Sequence, residues 1–173
     1  MTQEDLNKLY ESGVLSNDNP TSLQNKVWVE LMIYVGGLGR QELRSLEKDH
    51  FIFEKDDSGH LYFHLDAACI SQEKKQITVY EQADNLNCPV KSLWLYLSKL
   101  NPDSKVFFQQ PLTKTVGGDD VVWYSHRPIG KNAHSTWLAN ICRDAGVTTE
   151  YRNQALYFRA APVKTLPTTT SRP

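Results

Sequence analysis

Disulfide chemistry, membrane spans and a dominant charge are all scarce in this sequence. Three cysteines occur, Cys69, Cys88 and Cys142, and no two of them form a Cys-x-x-Cys pair. An odd, widely spaced set argues against a disulfide frame or a zinc knuckle, and for reduced thiols in a cytosolic or nuclear setting. No stretch approaches the ~18 consecutive apolar residues of a membrane helix. The opening MTQEDLNKLYESG is too polar and acidic to read as a secretory signal. Internal repeats are lacking. What remains is 173 residues, 40% hydrophobic and 23% charged, enough for one domain with a real core, or a domain plus a tail.

The net charge of −1 conceals an asymmetry. Residues 1–120 hold 12 Lys and Arg against 18 Asp and Glu, whereas residues 121–173 hold 7 against 2. A basic C-terminal third suits nucleic acid or an acidic partner, or neutralises the acidic part of the same fold.

Apolar periodicity gives the order of elements. A short amphipathic helix is expected over Thr2–Leu15, with Leu6, Leu9, Tyr10 and Val14 inward and a capping box from Thr2 and Asp5. A second helix, about Leu23–Tyr34 and capped by Thr21 or Ser22, is apolar enough to be central, and Gly36 to Gly39 end it. Because that glycine cluster follows a helix and not a strand, it does not read as a phosphate-cradling loop. Arg40–Leu46 is another helical turn or two. Phe51–Phe53 and Leu61–Leu65 form a hairpin about an Asp-Ser-Gly turn, and Gln76–Tyr80 is a third strand. Pro89 opens a helix to Leu100 with Leu93, Trp94, Leu97 and Leu100 as its stripe.

Val106–Phe108 and Val121–Tyr124 are short extended pieces. The last helix, Lys131–Ala145, is capped by Asn132 or Ser135 and carries Trp137, Leu138, Ile141, Cys142 and Ala145, with Gly146 at C′. Trp28, Trp94, Trp123 and Trp137 are core candidates. Residues 154–173, rich in Pro and Thr, read as a tail or linker after a domain of residues 1–153.

His60 and His64 share a face of the expected strand. A metal would need a third ligand, and Asp66 and Cys69 are only loosely placed, so neither metal nor cofactor is expected. Arg40, Arg44 and Lys48, at i, i+4 and i+8, form either a basic ridge or a solvated face paired with Glu42, Glu47 and Asp49.

The segments NKVWVELMIY, GRQELRSLEKDHF, CPVKSLWLYLSKLNP, VFFQQP, VVWY and RPIGKN together resemble one family. It comprises the domesticated tyrosine-recombinase-like domains derived from crypton transposons, found in vertebrate nuclear zinc-finger and glutamine-rich proteins. The likeness covers roughly residues 3–153. It implies an α+β, mainly helical fold with a small three-stranded antiparallel sheet, resembling part of a tyrosine recombinase catalytic domain.

In that chemistry a tyrosine attacks a DNA phosphodiester, two arginines and a histidine stabilise the phosphorane, and a lysine protonates the leaving oxygen. The first arginine falls on Arg40, and Lys74 or Lys75 stands where the lysine belongs. At the family's Tyr-x-Asn-His-x-x-Arg tract this chain has Tyr151-Arg-Asn-Gln-Ala-Leu-Tyr157. Gln154 replaces the histidine and Tyr157 the arginine. Arg159 is two residues late, about 200° away on a helix. The further helices that carry the nucleophile have no counterpart before the tail.

A non-enzymatic module is therefore expected, serving protein interaction or scaffolding in a nuclear, transcription-related protein, with the cytoplasm as the alternative location. A second expectation is DNA binding through Arg40, Arg44, Lys131, Arg143 and Arg152. A third is a remnant or splice fragment with no independent function. Loss of the last helices should leave the Trp137 and Ile141 face exposed, to be covered by a partner or a second copy.

Overall fold

The computed structural model describes residues 1–36, 38–69, 77–113, 120–148 and 151. They form an α+β fold of five α-helices, a three-stranded antiparallel sheet and a separate two-stranded sheet. The helices are α1 (Gln3–Glu11), α2 (Pro20–Tyr34), α3 (Arg40–Ser45), α4 (Pro89–Lys99) and α5 (Lys131–Asp144). The larger sheet has the order β1 (Phe51–Lys55), β2 (Leu61–Leu65), β3 (Val79–Tyr80), and the smaller pairs β4 (Gln109–Pro111) with β5 (Tyr124–Pro128). The expected tail, residues 154–173, lies outside the described residues, as do Lys74, Lys75, Arg152, Gln154, Tyr157 and Arg159.

Helix α2 organises the rest. Every residue from Ser22 to Met32 except Asn25 is buried, so the helix has core on all sides rather than on one stripe. Asn19 caps it, its side-chain oxygen accepting from Ser22 N at 2.9 Å. The cap lies upstream of the expected Thr21 or Ser22 because Pro20 fits only at the first helical position. Gly36, at φ +60°, turns the chain out of the helix.

Burying so much of α2 requires partners for its polar side chains. The Gln24 amide donates to Tyr96 Oη at 2.8 Å and to the Gln109 carbonyl at 2.7 Å. Tyr96 Oη in turn donates to the Phe107 carbonyl at 3.0 Å, and Tyr124 Oη donates to the Pro20 carbonyl at 2.6 Å. These bonds fix the loop 100–111 and β5 against α2. Around them Tyr96, Phe107, Phe108 and Tyr124 pack edge to face with centroids 4.7–5.0 Å apart.

The hairpin has the expected turn. Asp56 Oδ1 accepts from the backbone N–H groups of Ser58 and His60, both at 2.9 Å. Its register pairs Phe51 with Leu65 and Phe53 with Phe63. Val79 and Tyr80 alone make β3, shorter than the Gln76–Tyr80 expected. The second sheet lies downstream of the extended pieces read from sequence, because Tyr124, not Val121, begins the pairing.

Two further expectations are corrected by packing. The Trp137 and Ile141 face of α5 is not an open edge: Trp137 is 7% and Ile141 1% exposed. The Trp137 ring stacks on Trp28 at 5.5 Å, meets Phe108 at 5.0 Å, and its Nε1 donates to Asn25 Oδ1 at 2.8 Å. At the far end of α5, Lys8 of α1 donates to the Gly146 carbonyl at 2.7 Å. The buried Tyr151 hydroxyl bonds the Asp5 carboxylate and accepts from Thr2 N.

Trp94, assigned to the core stripe of α4, is instead 59% exposed. The buried face of α4 carries Val90, Leu93 and Tyr96, and the Tyr96 hydroxyl is what the Gln24 amide needs.

Candidate phosphate-binding cleft

Gly39 precedes α3 in extended conformation, and its N–H donates to Glu42 Oε2 at 2.6 Å. Glu42 thus turns back to cap the helix. Leu43, 2% exposed, anchors this short helix inward, with Leu38 and Leu46 buried on either side. The opposite face, Arg40, Gln41, Arg44 and Ser45, is exposed and lines a cleft of about 410 Å³. Among the described residues no carboxylate lies within 4.0 Å of either guanidinium. Neither the pairing with Glu42, Glu47 or Asp49 nor the three-residue ridge is present.

Lys48 leaves the ridge because the helix stops. Leu46 takes an extended conformation and its carbonyl accepts from Phe107 N at 3.0 Å, after which Glu47 bridges Val106. Lys48 Nζ is drawn to the carbonyls of Asn101 and Pro102, at 3.2 and 3.4 Å. Strand-like pairing with the loop thus wins over helix continuation.

Helix α3 packs on α5. There the first turn of α5 supplies His134, 2% exposed and set edge-on to Phe108 at 5.8 Å and Trp137 at 5.4 Å. Its Nδ1 is buried with no hydrogen-bond partner. Burial, and then the nearby Arg44 charge, hold this imidazole below its ordinary pKa, so it is neutral at pH 7. Exposed Lys131 lies three residues earlier, on the same side of α5 as His134.

The sequence-predicted cations therefore separate. Arg40 and Arg44 share one cleft, and Lys131 stands at the start of α5, the helix on which α3 packs. Arg143 is twelve residues along α5, about 18 Å from Lys131, and its Nε and Nη2 are engaged by Asp144 Oδ1 at 3.2 and 3.1 Å. Arg152 falls outside the described residues. Sequence reading misses His134, although it extends the Trp137, Leu138, Ile141 stripe by one turn.

The histidine pair is split as well. His60 precedes β2 and its Nδ1 meets Asp56 at 3.4 Å, while His64 Nε2 meets Glu54 at 3.2 Å. Among the described residues no group of three His, Cys, Asp or Glu side chains is placed to hold a metal. No described helix is long and apolar enough to cross a membrane.

The cleft is suited to an oxyanion. Two guanidiniums without carboxylates present planar donor forks that match phosphate geometry, and their charge strengthens each hydrogen bond. No family model, curated protein or solved structure matches this chain, so the recombinase-like resemblance rests on the quoted residues alone.

Proposed function

We propose that the chain is a non-catalytic, recombinase-like module that holds the phosphate backbone of a nucleic acid on the Arg40–Arg44 cleft. One observation carries this reading: two exposed guanidiniums line a single cleft, and no described carboxylate neutralises either one. The likeness to tyrosine recombinases supports the same ligand, since Arg40 stands at the position of the family's first phosphate-binding arginine. Gln154 and Tyr157 at the histidine and arginine positions support the loss of catalysis. A nuclear location accords with such a ligand.

Binding of a labelled duplex, followed by anisotropy across a salt series, tests the proposal. Two or three phosphate contacts give a slope of log K against log salt of roughly −2 to −3. Arg40→Ala with Arg44→Ala should bring it close to zero, while Arg143→Ala leaves it unchanged. No binding at low salt overturns the reading. A covalent tyrosyl adduct on a nicked suicide substrate overturns its non-catalytic half.

A second reading is protein interaction, for which the buried Trp137 face expected to meet a partner is not available. A different surface favours it: the exposed Trp94 on α4.

A further inference from the structure

We infer that the groove between α4 and the open end of the larger sheet is a docking site for a short acidic, apolar peptide segment of another protein. The inference deepens the protein-interaction reading and is independent of the phosphate cleft. The groove encloses about 500 Å³, and its walls are the apolar side chains of Leu61, Val90, Trp94 and Leu95. Of the four tryptophans, Trp28, Trp123 and Trp137 are at most 7% exposed, whereas Trp94 is 59% exposed. Its indole is held edge-on by Phe53 at 5.2 Å and 88°, so it stands as a fixed wall. Fixed, exposed aromatic surface beside an apolar hollow is the composition of an interaction hot spot.

Charge at the rim specifies the occupant. Lys91 is already engaged, its Nζ donating to the Ala83 carbonyl at 2.9 Å and lying 3.8 Å from Glu81. Lys55, at the end of β1, has no described carboxylate within 4.0 Å. The groove therefore presents an apolar floor with one uncompensated cation at its hairpin end. Its complement is a large apolar side chain for the hollow with a carboxylate one or two residues away for Lys55. Amphipathic helices with anchors at i, i+3, i+4 and i+7 supply that pattern. A basic segment meets Lys55 with like charge, and a neutral one leaves it unanswered.

The probe is a fluorescein-labelled peptide with Leu and Phe at i, i+3, i+4 and i+7 and Asp or Glu between them. A control peptide carries Lys in place of every acid. Anisotropy reports binding, and acrylamide quenching reports shielding of Trp94, which is the accessible indole. The acidic peptide should bind and at least halve the quenching constant, with the basic peptide at least tenfold weaker. Trp94→Ala should weaken binding at least tenfold and Lys55→Glu about fivefold, while Arg40→Ala with Arg44→Ala leaves it unchanged. Circular dichroism of Trp94→Ala, an exposed position, confirms that loss of binding is not loss of fold. Equal affinity for both peptides overturns the inference, and so does no response at millimolar peptide. A concentration-dependent dimer that Trp94→Ala abolishes overturns it in favour of a second copy of the chain.

Discussion

Trp137 on α5 and Trp94 on α4 occupy similar apolar stripes and meet opposite fates. Trp137 is closed in by residues more than one hundred positions away, with Trp28 stacked on its ring and Asn25 accepting from its indole. Trp94 has one aromatic neighbour, Phe53 at 5.2 Å, and open solvent on the other side. The first side of the molecule is sealed by α2 and the Phe108 loop. The second is a sheet end too narrow to cover its helix. The exposed indole is therefore found where the sheet stops, away from the sealed face of α5.

The comparison is broken most forcefully at Trp137. Trp137→Ala should cost ~3–5 kcal/mol, a fall in melting temperature of roughly 10 °C by calorimetry. A loss below ~1 kcal/mol would mean that the stack with Trp28 is not the keystone of that side.

Glu30 gives the next largest effect, with the opposite sign. Its carboxyl is buried on α2, with Oε1 accepting from Tyr10 at 3.2 Å and Ser92 at 3.3 Å and Oε2 unpartnered. Burial pushes its pKa up to about 8, against the downward pull of Lys26. Lys26 lies beyond ion-pair distance and donates to Asn17 Oδ1 at 3.2 Å, its own pKa lowered by burial. The folded state holds a proton that the unfolded chain has released above about pH 4.5. Stability from this group is therefore full in acid and is lost as pH rises from about 4.5 toward 8. Glu30→Gln should raise stability at pH 8 by roughly 1–3 kcal/mol, with the gain vanishing near pH 4 in denaturant titrations.

At Asn19 the expected cost is ~1 kcal/mol for Asn19→Ala, with Asn19→Asp close to wild type. Chemical melts of both variants check the cap. Trp94→Ala comes last, at about 0.5 kcal/mol or less. A loss as large as that of Trp137→Ala would erase the contrast between the two sides.

Much of this contrast was hidden at the level of sequence. Local signals were readable. Thr2 caps α1, its hydroxyl accepting from Asp5 N at 3.1 Å, although its own N–H donates to Tyr151 Oη, so only half of the expected capping box forms. Gly146, at φ +67°, closes α5, with Val147 N reaching the Cys142 carbonyl at 2.8 Å in a Schellman motif. The helix order, the hairpin and the α+β class follow from the same short-range rules. What failed was set by distant partners. The outcome for α4 turned on whether Trp94 or Tyr96 faced inward, and a hydroxyl for Gln24 decided it. The ridge Arg40, Arg44, Lys48 was broken by pairing of residues 46–48 with 105–107. The Arg40–Arg44 cleft was half legible, since its two arginines are one helical turn apart. His134, buried on the helix against which α3 packs, comes from ninety residues downstream.

The bonds joining Tyr151 to Thr2 and Asp5, and Lys8 to Gly146, have a mechanical consequence. Tension applied between residues 1 and 151 falls on those side-chain bonds and on the packing of α1 that they hold in place. Leu6 and Leu9 of α1 are buried in the same core as Trp28 and Trp137, so that helix carries load to the stack once the bonds give. In an optical trap the molecule should yield in two rips, a small one at low force and a larger one when the core gives way.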